Sequence, residues 1–235
     1  SNCNFQSRMS FLLRELKKHQ WGKARGFSAG VVDRIFRGQI PGHEVLNAIS
    51  MYDNVSLTWL VSGLGSPYLV FSGSADDEVA EQLQEFLSEK WSIVILSAPS
   101  NKEDAIVLMR PSTYEYKEKE IEYLDLKILV GPIGLMTSQL LKNSKQSIAS
   151  IEVSEFVLHR ITRGQSSNSD ILKHVNTKNY KKAGFTHATK YKDKDRRSLP
   201  QIETLEEKKL ILGFRSIEED DKKTILNLID SLTKK

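Results

Sequence analysis

Residues 21–68, WGKARGFSAGVVDRIFRGQIPGHEVLNAISMYDNVSLTWLVSGLGSPY, decide how the N-terminal part of the chain folds. Apolar residues recur here at helical spacing, and glycine and proline cut the pattern into short pieces. Val31, Val32, Ile35 and Phe36 predict a helix over 28–37, stopped by Gly38. Val45, Leu46, Ile49 and Met51 predict a second over 43–52, entered after Pro41. Ser56 is an N-cap candidate for a third over 57–61, and Gly63, Gly65 and Pro67 close the unit. Upstream, Met9, Leu12, Leu13 and Leu16 give residues 8–20 a helical pattern, and a short segment follows over 21–25. Five short helices in this space predict an all-α unit. Within it, Gly22 is a small residue where one helix can cross the next. Gly26, four positions on, suits a turn that needs positive φ. Trp21, Phe27, Val32 and Ile35 take the apolar positions that lock the crossing. Arg25 stands just before the turn glycine, where an apolar residue is usual; its stem can cover the core while its head reaches outward.

Beyond residue 67 the pattern changes. Residues 64–74 read as a linker and 76–87 as a helix with Val79, Leu83 and Phe86 on one side. Runs at 92–96 (SIVIL), 105–109 (AIVLM), 113–116 and 122–130 (EYLDLKILV) are β-like, bounded by Pro99, Pro111 and Gly131-Pro132. Residues 135–141 suit a helix, and 148–161 suits either strand or helix. Residues 164–200 are polar, basic and poor in periodicity, the composition of a flexible segment. Residues 217–232 have the periodicity of a closing helix with acids in its first turn. The expected architecture is an N-terminal all-α domain over 1–67, a linker and connecting helix over 68–89, and a small α+β sensing or oligomerisation domain over 90–235.

The chain of 235 residues carries a net charge of +4, unevenly spread. Residues 1–71 hold eight Lys/Arg against four Asp/Glu, residues 72–172 hold ten against sixteen, and residues 173–197 hold nine against two. Basic segments on either side of an acidic middle suit contact with a polyanion at the basic parts, or a solvated loop in the case of 173–197. No apolar run approaches the roughly 18 residues of a membrane span, and no apolar block of a secretory leader is present, so a cytoplasmic location is expected. Cys3 is the lone cysteine, and His19, His43, His159, His174 and His187 lack metal-site spacing, so neither a metal nor a cofactor is expected. Gly131-Pro132-Ile133-Gly134 reads as a turn rather than a phosphate cradle. Tyr114, Tyr116, Tyr123, Trp91 and Phe156 are candidates for a pocket, although aromatic residues in strands are more often core.

In order and spacing, G-F-S at 26–28, R-I-F-R-G at 34–38, Pro41, and N-V-S-L-T-W-L-V-S-G-x-G-S-P at 54–67 resemble the DNA-binding domain of phage CI repressor-type, lambda-repressor-like helix-turn-helix regulators. The resemblance covers about the first 70 residues. It implies that helix 28–37 enters the major groove of DNA while the helix before it crosses the backbone. Carried over residue by residue, it makes Ser28, Ala29, Gly30, Val31, Asp33 and Arg34 base-reading candidates. Arg34 is suited to guanine and Asp33 to cytosine or to orienting Arg34. Lys17, Lys18, Lys23, Arg25 and Arg37 become phosphate-contact candidates, which set affinity but not sequence. Trp21, Val32, Ile35 and Trp59 are expected in the core.

Residues 213–232 (GFRSIEEDDKKTILNLIDSL) resemble a helical tail of phage-type regulators, which suggests self-association through Ile225, Leu228, Ile229 and Leu232; packing on its own domain is the alternative. The expected function is a sequence-specific transcriptional regulator, not an enzyme, binding a palindromic double-stranded DNA operator as a homodimer or higher oligomer in the nucleoid. An antirepressor protein or a small-molecule ligand is a candidate further partner. Two alternatives stand beside it. A CI-like self-cleaving repressor would need a serine–lysine protease domain, but no suitable serine context is present and Ala183-Gly184 falls too late for the scissile bond. A nucleoid protein would coat DNA without sequence preference.

Overall fold

In the computed structural model, residues 4–175, apart from 15 and 102, and the short strand at 181–182 are described. The first helix, α1 (Phe5–Leu13), starts at Asn4, whose side chain accepts from the Ser7 N–H, and stops at Arg14 with φ of 52°. The helical pattern expected over 8–20 is thus broken in two: a new helix, α2 (Lys18–Ala24), begins after the break, and Leu16 is left exposed. Then come α3 (Ala29–Phe36), α4 (His43–Asp53) and α5 (Leu57–Ser62), at the expected places. Ser56 caps α5 by accepting from the Trp59 N–H. Met9, Trp21, Val32, Ile35, Ile49, Val55 and Leu60 fill the centre of this bundle, each at most 1% exposed. Burial of one such side chain contributes about 1.5–3 kcal/mol. Arg8 is buried among them and donates to the Leu60 and Val61 carbonyls, at 2.8 Å each, in the last turn of α5. Those carbonyls have no partner within the helix, so a cation there satisfies them and suits the helix dipole.

The rest of the described chain is a mixed sheet with helices on both faces. Its strands are β1 (Phe71–Ser72), β2 (Ser92–Ser97), β3 (Asp104–Tyr116), β4 (Lys119–Gly131), β5 (Ser147–Glu152) and β6 (Lys181–Lys182), in the order β1-β4-β3-β2-β5-β6. β2, β3 and β4 form an antiparallel meander; β1 joins β4 and β5 joins β2 in parallel. Alternation along the strands sends Ile93, Ile95, Ile106, Leu108 and Leu129 to one face, against Val79 and Leu83 of α6 (Asp76–Phe86) and Leu141 of α7 (Leu135–Asn143). The other face carries Val94, Leu96, Val107, Leu126 and Ile128 against Leu158 and Ile161 of α8 (Glu155–Thr162) and Ile171 and Val175 of α9 (Asn168–Val175). Strands buried on both faces read as continuous apolar runs, as SIVIL does.

Several sequence expectations change here. Pro111 does not end a strand: β3 runs through it, opposite Leu124. β2 leaves β3 at Met109, so Pro111 lies where β3 has a single neighbour and one edge needs no donor. The ambiguous stretch 148–161 is both things in turn, β5 and then α8, divided by Ser154, which caps α8. α9 gives the start of the expected flexible stretch 164–200 an ordered helix with Ile171 fully buried. The connecting helix expected over 76–87 is present as α6, while the residues before it, read as linker, hold buried Tyr68 and β1, and Tyr68 donates its N–H to the Gly164 carbonyl at 3.0 Å. The described residues fall within one compact unit, Ser1–Tyr191. The closing helix expected over 217–232, with Ile225, Leu228, Ile229 and Leu232, lies outside the described residues, as does Ala183-Gly184. Among the described residues, no helix is long and apolar enough to cross a membrane.

Candidate nucleic-acid interface

The α2–α3 pair is built on two glycines. A Cβ on Gly22 would lie 2.1 Å from Val32 Cγ2, far inside van der Waals contact, so the crossing of α2 over α3 requires the missing side chain. Gly26 has φ of 78°, and a Cβ there would meet Ile121 Cδ1 at 2.8 Å. The turn is closed by the Phe27 N–H donating to the Gly22 carbonyl at 2.9 Å. Phe27 packs its ring near Trp21, with centroids 5.9 Å apart, and Phe36 meets the same indole edge-on at 5.5 Å.

Behind α3, Val31, Val32 and Ile35 are buried. In front, Ser28, Ala29, Gly30, Arg34 and Arg37 are exposed, and a Cβ on Gly30 would meet nothing within 4 Å. The outer side of the helix is therefore uncovered by the described residues. Asp33, half-buried, accepts from Lys18 Nζ at 2.8 Å and lies 3.8 Å from His19 Nε2. The Lys18 hydrogen bond, aided by the charges of Lys18, His19 and Arg37, holds the Asp33 carboxyl below its ordinary value. That pair ties the beginning of α2 to the middle of α3 and occupies part of the Lys18 cation. Lys17 and Lys23 are exposed at the two ends of α2.

Two expected contacts are corrected. Val31, expected to touch a base, is 8% exposed and belongs to the bundle core. Arg25, expected at a phosphate, is 4% exposed. Its guanidinium donates to both carboxylate oxygens of Asp53 and to the Trp21 carbonyl. It lies between the Trp21 and Tyr52 rings, 4.3 Å from each centroid. An arginine in the place of an apolar residue is accommodated because its planar head stacks on rings while each of its three nitrogens donates a hydrogen bond.

Residues outside the N-terminal helices also reach this site. β3 and β4 continue past the rest of the sheet and lay one face under the bundle. Tyr114 Oη donates to the Arg25 carbonyl at 3.0 Å, the Tyr116 ring meets Phe27 edge-on at 5.3 Å, and Tyr123 stacks near Tyr52 at 6.3 Å. Burial raises the Tyr114 hydroxyl well above its ordinary pKa, so it stays a donor. The five aromatic pocket candidates do not converge. Tyr114, Tyr116 and Tyr123 pack against the bundle, Trp91 lies in the core beside α6 and α7, and Phe156 is 70% exposed. Sequence reasoning missed the two lysines that this arm brings up, Lys117 and Lys119. Lys117 lines a cleft with Arg34, and both lysines line a second cleft with Lys23 and Ser28.

The Gly131–Gly134 turn is no phosphate site either. The Asp76 carboxylate accepts from the Gly134, Met136 and Thr137 N–H groups and so fills the N-terminus of α7. Among the described residues, no group of three or more His, Cys, Asp or Glu side chains could hold a metal ion. Compared with protein-family models, curated proteins and solved structures, the chain matches none.

Proposed function

We propose that this protein is a sequence-specific DNA-binding transcriptional regulator that places α3 in the major groove of an operator. The observation that carries the reading is the division of α3. Val31, Val32 and Ile35 lock one side into the bundle, and the side bearing Ser28, Ala29, Gly30, Arg34 and Arg37 faces solvent. A short helix held rigidly from behind, with a small-residue start and a forked cation one turn on, suits close approach to base edges. Arg34 is the base reader, suited to bidentate hydrogen bonding with guanine; Asp33, held by Lys18, orients the site. Lys17, Lys23 and Arg37 supply phosphate contacts, with Lys18 sharing its charge between Asp33 and the backbone.

Ser28, Ala29 and Gly30 offer few hydrogen-bonding groups, so part of the sequence preference comes from DNA shape. One small domain gives limited discrimination, and a homodimer on a two-fold operator is the assembly that supplies the rest. The testing experiment is a footprint on the DNA flanking the gene for this chain: a discrete palindromic protected site supports the regulator. Uniform coating would favour a nucleoid protein without sequence preference, a reading that the sparse donors at the start of α3 leave as the second choice.

A further inference from the structure

β3 and β4 pair from Asp104↔Gly131 to Tyr116↔Lys119, whereas β2 leaves β3 at Met109. The outer part of the hairpin is a two-stranded arm whose faces differ. Successive residues of a strand point to opposite sides. Tyr114, Tyr116, Lys119, Ile121 and Tyr123 therefore share the side that packs on the bundle, and Glu115, Glu120 and Glu122 share the other. The tip is Lys117-Glu118, both at positive φ. Tyr116, the last arm residue before the tip, rests on Phe27, which immediately precedes the Ser28 cap of α3.

We propose that this tip is a second DNA-contacting element: Lys117 and Lys119 bind backbone phosphates of the same duplex that α3 enters, beside the N-terminal end of that helix. The proposal rests on the DNA-binding reading above. Lys117 shares one cleft with Arg34, and Lys117 and Lys119 share another with Lys23 and Ser28. Cations from α2, α3 and the arm thus surround the uncovered side of one short helix. The carboxylates nearby are Asp33 on α3, paired with Lys18 at 2.8 Å, Glu44, which lines the first cleft, and Glu118 at the tip; Glu115 and Glu120 pair across the arm's far side, away from the bundle. Charge complementarity therefore selects a polyanion approaching from the α3 side. The arm is anchored by Tyr114, Tyr116 and Ile121, so its lysines are presented from an ordered support and little backbone ordering opposes binding.

The test is binding of the full chain to a mixed-sequence duplex of about 30 base pairs, three helical turns, by fluorescence anisotropy across about 50–200 mM salt. The Lys117→Gln/Lys119→Gln variant is expected to bind more weakly. The magnitude of its log K against log salt slope should fall by about 1.8, two phosphates at about 0.9 each. Lys119→Gln alone should lower it by about 0.9. Glu120→Gln, on the far side, should leave the slope unchanged. An unchanged thermal midpoint establishes that each variant is folded. A parent chain that binds while the double variant keeps the parent's slope overturns the arm's role alone. So does an equal change of slope in Glu120→Gln, which would mark a net-charge effect. A parent chain that binds no duplex overturns the DNA-binding reading and the arm's role together.

Discussion

The Tyr114 hydroxyl donates to the carbonyl of Arg25 at 3.0 Å, across 89 positions of sequence. Arg25 is the C-cap of α2 and precedes the turn glycine, so a strand of the sheet supports the turn on which α3 is hung. Replacing Tyr114 with phenylalanine keeps the ring contacts and removes one buried donor. It is expected to destabilise the protein by about 1–2 kcal/mol, read as a lower urea midpoint at constant slope. A midpoint equal to the parent's would show that the carbonyl finds another donor.

Arg25 and Lys23, two residues apart, should behave in opposite ways. Arg25→Ala leaves the Asp53 carboxylate without its bidentate partner. Removal of one member of such a pair costs about 3 kcal/mol or more. Lys23→Ala removes an exposed cation and should change stability by less than about 0.5 kcal/mol, while weakening DNA binding. Comparison of thermal unfolding and DNA affinity for the two variants checks this. An Arg25→Ala protein as stable as the parent but defective on DNA would return Arg25 to the phosphate role expected from sequence.

Acid should loosen the contact between α1 and α9. Arg14 Nη1 meets Asp170 Oδ2 at 2.5 Å. Burial alone would raise the Asp170 carboxyl, but the hydrogen bond and charge of Arg14 and the bonds from Ser167 outweigh it and hold the pKa below its ordinary value. A carboxyl lowered on folding stabilises the protein above its unfolded pKa. That stability is lost as the pH falls from about 4 through the lowered folded value. Asp170→Asn should therefore be less stable at neutral pH, and its deficit should shrink in acid. A deficit independent of pH would mean that the loss is one of packing rather than ionisation.

Much of the N-terminal bundle was legible because its boundaries are written in local chemistry. Gly26, Gly38 and Ser56 mark ends that propensity alone would blur, and α3, α4 and α5 fall within a residue or two of their expected limits. The break at Arg14 was not legible, since Met9, Leu12, Leu13 and Leu16 keep helical spacing across it. In the sheet, the runs at 113–116 and 122–130 were legible as β-like, but not the arm that joins them nor what covers its aromatic side. An aromatic strand face packed on a helical bundle reads the same as one packed on another sheet. The inward turn of Arg25 was hidden for a related reason, because its partner Asp53 lies 28 positions away. The exposed and buried sides of α3, by contrast, follow from the positions of Val32 and Ile35, except that Val31, expected at a base, joins the buried side.

In the function proposed for this protein, the solvent-facing side of α3 reads bases through Arg34. The most direct measurement compares parent and Arg34→Ala chains for affinity to duplexes selected by the parent from a randomised pool and to unselected duplexes. The parent should prefer the selected duplexes, and a good bidentate contact supplies about 1–3 kcal/mol of that preference. Arg34→Ala should bind both classes almost alike, with its unfolding midpoint unchanged. A parent that enriches no sequence from the pool, or an Arg34→Ala chain that keeps the parent's full preference, would contradict the claim.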